Sequence, residues 1–288
     1  MTKRFSLKNF FLVGKFKILL LHFIVFLFYY WTASAENTKP IRYFTREANS
    51  YSHFMADSLL QKRLELCINP SDALLNLKNP YDAKENAKIR LHDASLYNKK
   101  YYFYFSPLPA WIVVAPIKKF TGLYISQPFL IVLFSFVGYL LMFKFIQNIQ
   151  NIVQTGSNEN SLLIPLCLAT ATSVPWLLRR PDIYELCIAS SFAFLMASYC
   201  CIQKLYLFSF KKRYLFSSGL FLAFAVFCRP SQCLAALSIC IFVLFIKHRS
   251  PLTVQIKKCL FYFPLAIVGI LMAIFNYNRF GSIFEFGL

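Results

Sequence analysis

The carboxylates of this chain are concentrated in one place. Eight of its twelve acidic residues, Glu36, Glu47, Asp57, Glu65, Asp72, Asp82, Glu85 and Asp93, fall within 36–102. A carboxylate within reach of a hydroxyl can take its proton, so any acid–base chemistry has to draw mainly on this segment. Within it, Asn49, His53, Asp57 and Gln61 recur every four residues, opposite Tyr51, Phe54, Met55 and Leu59. That spacing predicts a helix lying along a membrane surface, and the plainer reading of its polar stripe is that it faces water. The second set of reactive groups is cationic. Arg179, Arg180, Arg229 and Arg279 each stand at the end of an apolar run, where an arginine ordinarily snorkels to headgroup depth. A last polar cluster, Asn276, Asn278, Arg279, Gly281 and Glu285, lies in 276–288 directly after an apolar run.

The elements that must position these groups are membrane helices. The chain of 288 residues is 58% hydrophobic, 18% aromatic and only 15% charged, and its mean hydropathy is positive, which places it among integral membrane proteins. The formal charge of +19 does not indicate nucleic acid, because the basic residues flank apolar runs rather than share a solvated face. Runs of roughly 20 apolar residues can span a bilayer, and the expected spans are about 16–35, 126–146, 161–178, 183–206, 214–228, 231–246 and 259–275. The expected fold class is an all-α polytopic membrane protein of about seven transmembrane helices, with an external membrane-surface helical loop after the first.

Charge bias sets the orientation. Lys3, Arg4, Lys8, Lys15 and Lys17 put residues 1–15 in the cytoplasm, and alternation places Lys204, Lys211, Lys212, Arg213, Lys247, Arg249, Lys257 and Lys258 on that side too. Residues 36–125 and 276–288 are then external. A basic start, an apolar stretch and "ASA" at 33–35 also fit a cleavable signal peptide, and either reading leaves 36–125 outside. Eight of the nine cysteines lie in or beside apolar runs and Cys67 alone is in a polar segment, so neither a disulfide framework nor a metal site is expected.

Inside 36–125, "NPYDAKENAKIRLHD" reads as a turn at Asn79-Pro80 followed by a short helix. "SLYNKKYYFYF" reads as a hairpin turning at Asn98-Lys99, although Lys replaces the Gly that such a turn prefers. "SPLPAWIVVAPIKKF", interrupted by Pro107, Pro109 and Pro116, suits a segment grazing the membrane.

At these residues the chain resembles the polyprenyl-phosphate-sugar-dependent glycosyltransferases of the GT-C superfamily, in particular the bacterial family 39-like proteins. The stretches are "NSYSHFMADSLLQKRLEL", "NPYDAKENAKIRLHDASLYNKKYYFYFSPLPA", "RRPDIYE", "FAVFCRPS" and "NYNRFGSIFEFG", in the family's order over most of 40–288. The resemblance implies a GT-C-like N-terminal half in the bacterial inner membrane. It also implies an inverting transfer of a sugar from a polyprenyl-phosphate donor, with membrane lipid as surroundings and no nucleic-acid partner. An acidic residue of the first external loop would act as base or position the acceptor, and arginines would neutralise the departing phosphate. Carried onto this chain, the base is Asp57 first, Glu47 second and Asp93 as an outsider. Arg229 and Arg279 are the leading phosphate contacts, with Arg180 and Asn49 also at the substrate.

Many relatives open the loop with an Asp-Glu pair where this chain reads "TREANSY", which leaves the base unassigned by motif. The family also continues beyond "NRFGSIFEFG", so the chain is expected to be C-terminally truncated and incomplete as an enzyme. No Asp-x-Asp pair, Gly-rich phosphate loop or zinc motif is present, so no cofactor or obligatory metal is expected. The rival function, a transporter, needs ionisable groups near the bilayer midplane, and the spans hold little beyond His22 and, at one end, Gln127.

Overall fold

The computed structural model describes residues 2–35, 41–153, 162–207, 211–245 and 251–285. Glu36, Lys247, Arg249 and residues 286–288, which figure in the expectations above, lie outside the described residues, as do the side chains of 2–15 and 251–257. The architecture is helical, with two small two-stranded pairings. Among the described residues, four helices are long and apolar enough to cross a membrane: the Phe16–Ser34 part of α1 (Thr2–Ser34), Gln127–Ile152 of α5 (Gln127–Val153), Ile183–Leu205 of α8 (Ile183–Leu207) and Lys258–Phe280 of α11 (Pro251–Phe280).

The expectation of seven spans is corrected at the other three positions. The stretch expected as one span over 161–178 is two short helices, α6 (Leu163–Thr170) and α7 (Val174–Arg179). The Thr172 hydroxyl donates to Leu168 O and accepts from the Val174 N–H. Such back-bonding competes with the helix ladder, and Pro175, which has no N–H to give, starts the next helix instead. The other two are α9 (Lys212–Cys228, 17 residues) and α10 (Cys233–Phe245, 13 residues). At 1.5 Å per residue α10 reaches only about 20 Å, short of a hydrocarbon core of roughly 30 Å.

Small and polar residues bring these helices together, as they do where lipid supplies no hydrophobic drive. Ser191 donates to Ala225 O at 2.8 Å, and the hydroxyls of Ser198 and Ser218 are 2.9 Å apart between α8 and α9. Asn148 of α5 donates to Gln203 of α8 at 2.7 Å. Gly219 of α9 sits so close to α11 that a Cβ there would lie 2.0 Å from Phe261 O. Half of the α8 window is buried against 17% of the α11 window, so α8 is central and α11 faces mostly outward. α1 is packed into the same body: Tyr29 is fully buried and donates to Ala169 O, and His22 Nδ1 lies 2.8 Å from the Tyr139 hydroxyl.

The polar segment between α1 and α5 is closed at its base. β1 (Phe44–Thr45) pairs antiparallel with β4 (Tyr124–Ile125), so the two ends of the loop meet. Between them lie α2 (Tyr51–Leu60), the single turn α3 (Asp72–Leu75), and a hairpin of β2 (Ser95–Tyr97) and β3 (Lys100–Tyr102). A π-helical stretch Ala110–Val114 then runs into α4 (Ala115–Thr121). The hairpin turns at Asn98 and Lys99, both left-handed (φ 48° and 59°). The short helix expected after Asn79-Pro80 is absent; successive turns run there, with Asp82 Oδ1 accepting from the Lys84 and Glu85 N–H groups.

α2 divides its polar stripe: His53 is fully buried and Asp57 half-buried, Asn49 and Gln61 stay exposed, and on the other side Met55 is buried while Leu59 and Leu60 are exposed. The Asn49 N–H donates to His53 Nδ1, which leaves Nε2–H to donate to Ile125 O at 2.9 Å. The imidazole is therefore neutral and satisfied, and burial lowers its pKa from the ordinary histidine value. Asp57 accepts from the Tyr124 hydroxyl with both oxygens at 2.8 Å, and Tyr124 stacks on His53. The middle of the stripe, His53 and Asp57, thus docks onto β4, and its ends face water.

Candidate functional site

Two Arg-Pro pairs build the site. A residue before proline is pushed out of the helical region, and both Arg180 (φ −123°, ψ 79°) and Arg229 (φ −149°, ψ 104°) leave their helices in extended backbone. Each helix therefore ends by turning a guanidinium aside at its terminus. Arg229 donates to the Tyr184 hydroxyl at 2.6 Å and to Ser231 Oγ at 3.0 Å, with its guanidinium carbon 4.7 Å from the Tyr184 ring centre. The start of α8 is fixed by Asp182, whose Oδ1 accepts from the Ile183 N–H at 2.7 Å and from Gln127 Nε2 at 3.0 Å. That carboxylate ties α8 to the first residue of α5.

Facing these helix ends are the two flanks of the hairpin, His92 and Asp93 before β2 and the extended strand 103–105 after β3. Asp93 takes a left-handed conformation (φ 57°), which Asp tolerates better than most residues. Its Oδ1 accepts from the Tyr104 hydroxyl at 2.8 Å and lies 3.2 Å from His92 Nδ1. Tyr51 of α2 donates to His92 O and stacks on Phe103, so the strand is held from below. Burial, then the hydrogen bond to Asp93, raises the Tyr104 pKa above the ordinary phenol value. Tyr104 thus keeps its proton and stays a donor to the carboxylate.

Between the strand and the helix ends lies a cavity of about 580 Å³. Its polar wall holds Asp93, Tyr104, Arg180, Tyr184, Glu185 and Arg229; Phe105, Cys187, Cys228 and Pro230 supply the apolar one. Oε2 of Glu185 is buried with no protein hydrogen-bond partner. Two guanidinium groups and two carboxylates around one partly apolar space suit an amphipathic ligand bearing an anion and hydroxyl groups. Among the described residues, no group of three or more His, Cys, Asp or Glu side chains is arranged to hold a metal ion.

Of the residues singled out from sequence, the cavity gathers Arg180, Arg229 and Asp93. It does not gather Asp57, which is engaged with Tyr124, or Glu47, which is exposed beside β1. Asn49 serves through its backbone N–H to His53. Arg279 is buried behind the wall, donating to Phe103 O and to Asn276 Oδ1, both at 2.6 Å. Arg179 lies over the Trp176 ring instead.

Glu185 and Asp182 were not singled out, although "RRPDIYE" sets two acids within five residues of a paired arginine. Their scarcity outside the loop was the available signal. Tyr104 and Tyr184 carried none, standing among 17 tyrosines. No family model, curated protein or solved structure matches the chain.

Proposed function

We propose that this protein is a membrane glycosyltransferase taking a sugar from a polyprenyl-phosphate donor, at the external face of a bacterial inner membrane, with its N-terminus cytoplasmic. The observation that carries the reading is the meeting of Arg180, Arg229 and the Asp93 carboxylate in one cavity at the helix ends. The sequence resemblance supports it independently of that geometry.

In this reaction Asp93 accepts the acceptor's hydroxyl proton. The acceptor oxygen bonds to the anomeric carbon as the bond from that carbon to the phosphate oxygen breaks, inverting its configuration. Polyprenyl phosphate leaves with the electron pair, next to Arg180 and Arg229. Tyr104, donating to one Asp93 oxygen, keeps the other free for the acceptor. The unpaired Glu185 oxygen is a ready acceptor for a sugar hydroxyl. The apolar wall suits the first isoprene units of the lipid.

The transferase is preferred to a transporter on one observation. Four polar side chains within the long helices, Ser191, Ser198, Asn148 and Gln203, are bonded to neighbouring helices. They serve as helix contacts, and the charged cavity lies at the helix ends.

The test is turnover of synthetic polyprenyl-phosphate hexoses by the reconstituted protein, followed as release of polyprenyl phosphate. Asp93→Asn is expected to lower turnover by about 10²–10⁴-fold, the usual worth of a positioned base. Arg229→Gln should lower it by about 10²–10³-fold, as removal of one stabiliser of developing charge does. Full turnover in Asp93→Asn with loss in Asp57→Asn would return the base to α2; no turnover of any such donor would sink the reading.

A further inference from the structure

Arg279 presents a separate electrostatic problem. It is 5% exposed, on the last turn of α11, and its guanidinium lies against the rings of Phe275 and Phe280 at 3.9 and 4.7 Å. Nη1 and Nη2 donate to Phe103 O and Asn276 Oδ1, both neutral acceptors, and Nε has no protein partner. Among the described residues no carboxylate forms an ion pair with it. A buried charge is retained when it is paired, and a buried unsatisfied N–H points to a water or an ion.

Arg279 borders a small cavity of about 20 Å³ between α2, the π-helical stretch and α11. The same space is lined by Arg63, Ser58, Trp111 and Phe275, and by no acidic side chain. The nearby Glu65 is already divided between Arg63 Nε at 3.4 Å and Lys100 Nζ at 2.9 Å. That carboxylate is thus engaged by two cations, and it does not line the cavity.

We infer that this cavity is a halide site, in which Arg279 and Arg63 hold a single monatomic anion, chloride under cellular conditions. Volume selects the class: the space takes one water-sized species, which excludes a phosphate ester or a carboxylate on a chain. Charge selects between the species of that size, because two arginines and no acidic residue line the space, and the buried Nε of Arg279 is unpartnered. The anion supplies the countercharge that Arg279 lacks and joins α2 to the end of α11. The site does not depend on the transferase reading.

Trp111 reports on the site directly. The other two tryptophans, Trp31 and Trp176, are 65% and 75% exposed, so Trp31→Phe and Trp176→Phe leave Trp111 as the sole emitter in the full chain. Bromide is titrated against gluconate at constant ionic strength. The expected result is saturable quenching of Trp111, competed by chloride, together with a higher melting temperature in chloride than in gluconate. Arg63→Gln, at a half-exposed position that leaves folding intact, should abolish both effects. Linear, unsaturable quenching with equal melting temperatures would overturn the site and leave water in the cavity. Saturable quenching unchanged in Arg63→Gln would overturn the two-arginine assignment.

Discussion

Proline next to arginine decides where the cationic chemistry stands. Arg229 is turned from α9 because Pro230 follows it, and Arg180 from α7 because Pro181 does. In Pro230→Ala the backbone regains the freedom to continue α9, which carries the guanidinium away from Tyr184 and Ser231. Donor turnover is expected to fall by at least tenfold while the melting temperature holds within a few degrees, as paired activity and melting measurements would show. The sequence already marked these arginines, since both were visible at helix ends. Its ranking of the acids, Asp57 before Asp93, rested on the resemblance and took no account of the partners each would find. Tyr124 occupies both oxygens of Asp57, whereas Tyr104 occupies one of Asp93. Such long-range tyrosine contacts leave no trace in local spacing.

At the scale of elements, long apolar helices were legible, since their length exceeds any alternative use of such a sequence; the spans expected at 16–35 and 183–206 match Phe16–Ser34 and Ile183–Leu205, while those expected to end at 146 and 275 run on to Ile152 and Phe280. The hairpin was legible from Asn98-Lys99, and there the strain is local and removable. Lys99 sits at φ 59°, a conformation costing about 1–2 kcal/mol for a residue with a Cβ. Lys99→Gly is expected to stabilise the hairpin by about 0.5–1 kcal/mol after glycine's greater unfolded-state freedom is set against it, read as slower amide exchange in β2 and β3. Close helix contacts were not legible, because they depend on which faces meet. Gly219 shows the consequence: its Cβ would strike the backbone oxygen of Phe261, which cannot swing aside as a side chain can. Gly219→Ala should cost about 1–3 kcal/mol or more by overpacking. Gly269→Ala, with open space around it, should be neutral or slightly stabilising by helix propensity. Comparing the two melting temperatures isolates the contact.

For the whole molecule, composition was enough to give an all-α membrane protein, but the number of complete spans was not. Hydropathy treats 161–178 as one run, while Thr172 and Pro175 divide it; backbone competition of this kind is invisible to an average over a window. The same holds for the loop, where the polar stripe of α2 was expected to face water and two of its four members, His53 and Asp57, dock onto β4 instead. The buried apolar residues form two clusters, one where the loop meets α1, α5 to α7 and the start of α8, the other among the end of α8 and α9 to α11. The candidate cavity draws its walls from both the loop and the ends of α8 and α9, so ligand binding there should raise resistance to unfolding in both halves together.

The pairing of β1 with β4 has a genetic corollary. Because the loop is joined at its base, covalent continuity through its middle is not what keeps its two flanks adjacent. Residues preceding the exposed turn at Ala83 and Lys84 contact the remainder through β1 and β4, His53 and Ile125, Asp57 and Tyr124, and Leu66 and Tyr101. Two polypeptides divided between Ala83 and Lys84 and produced in one cell should therefore find each other and copurify from the membrane through a tag on either. Asp57→Asn and His53→Ala together should lower the copurified amount, while α1, through Tyr29 with Ala169 and His22 with Tyr139, holds the remainder.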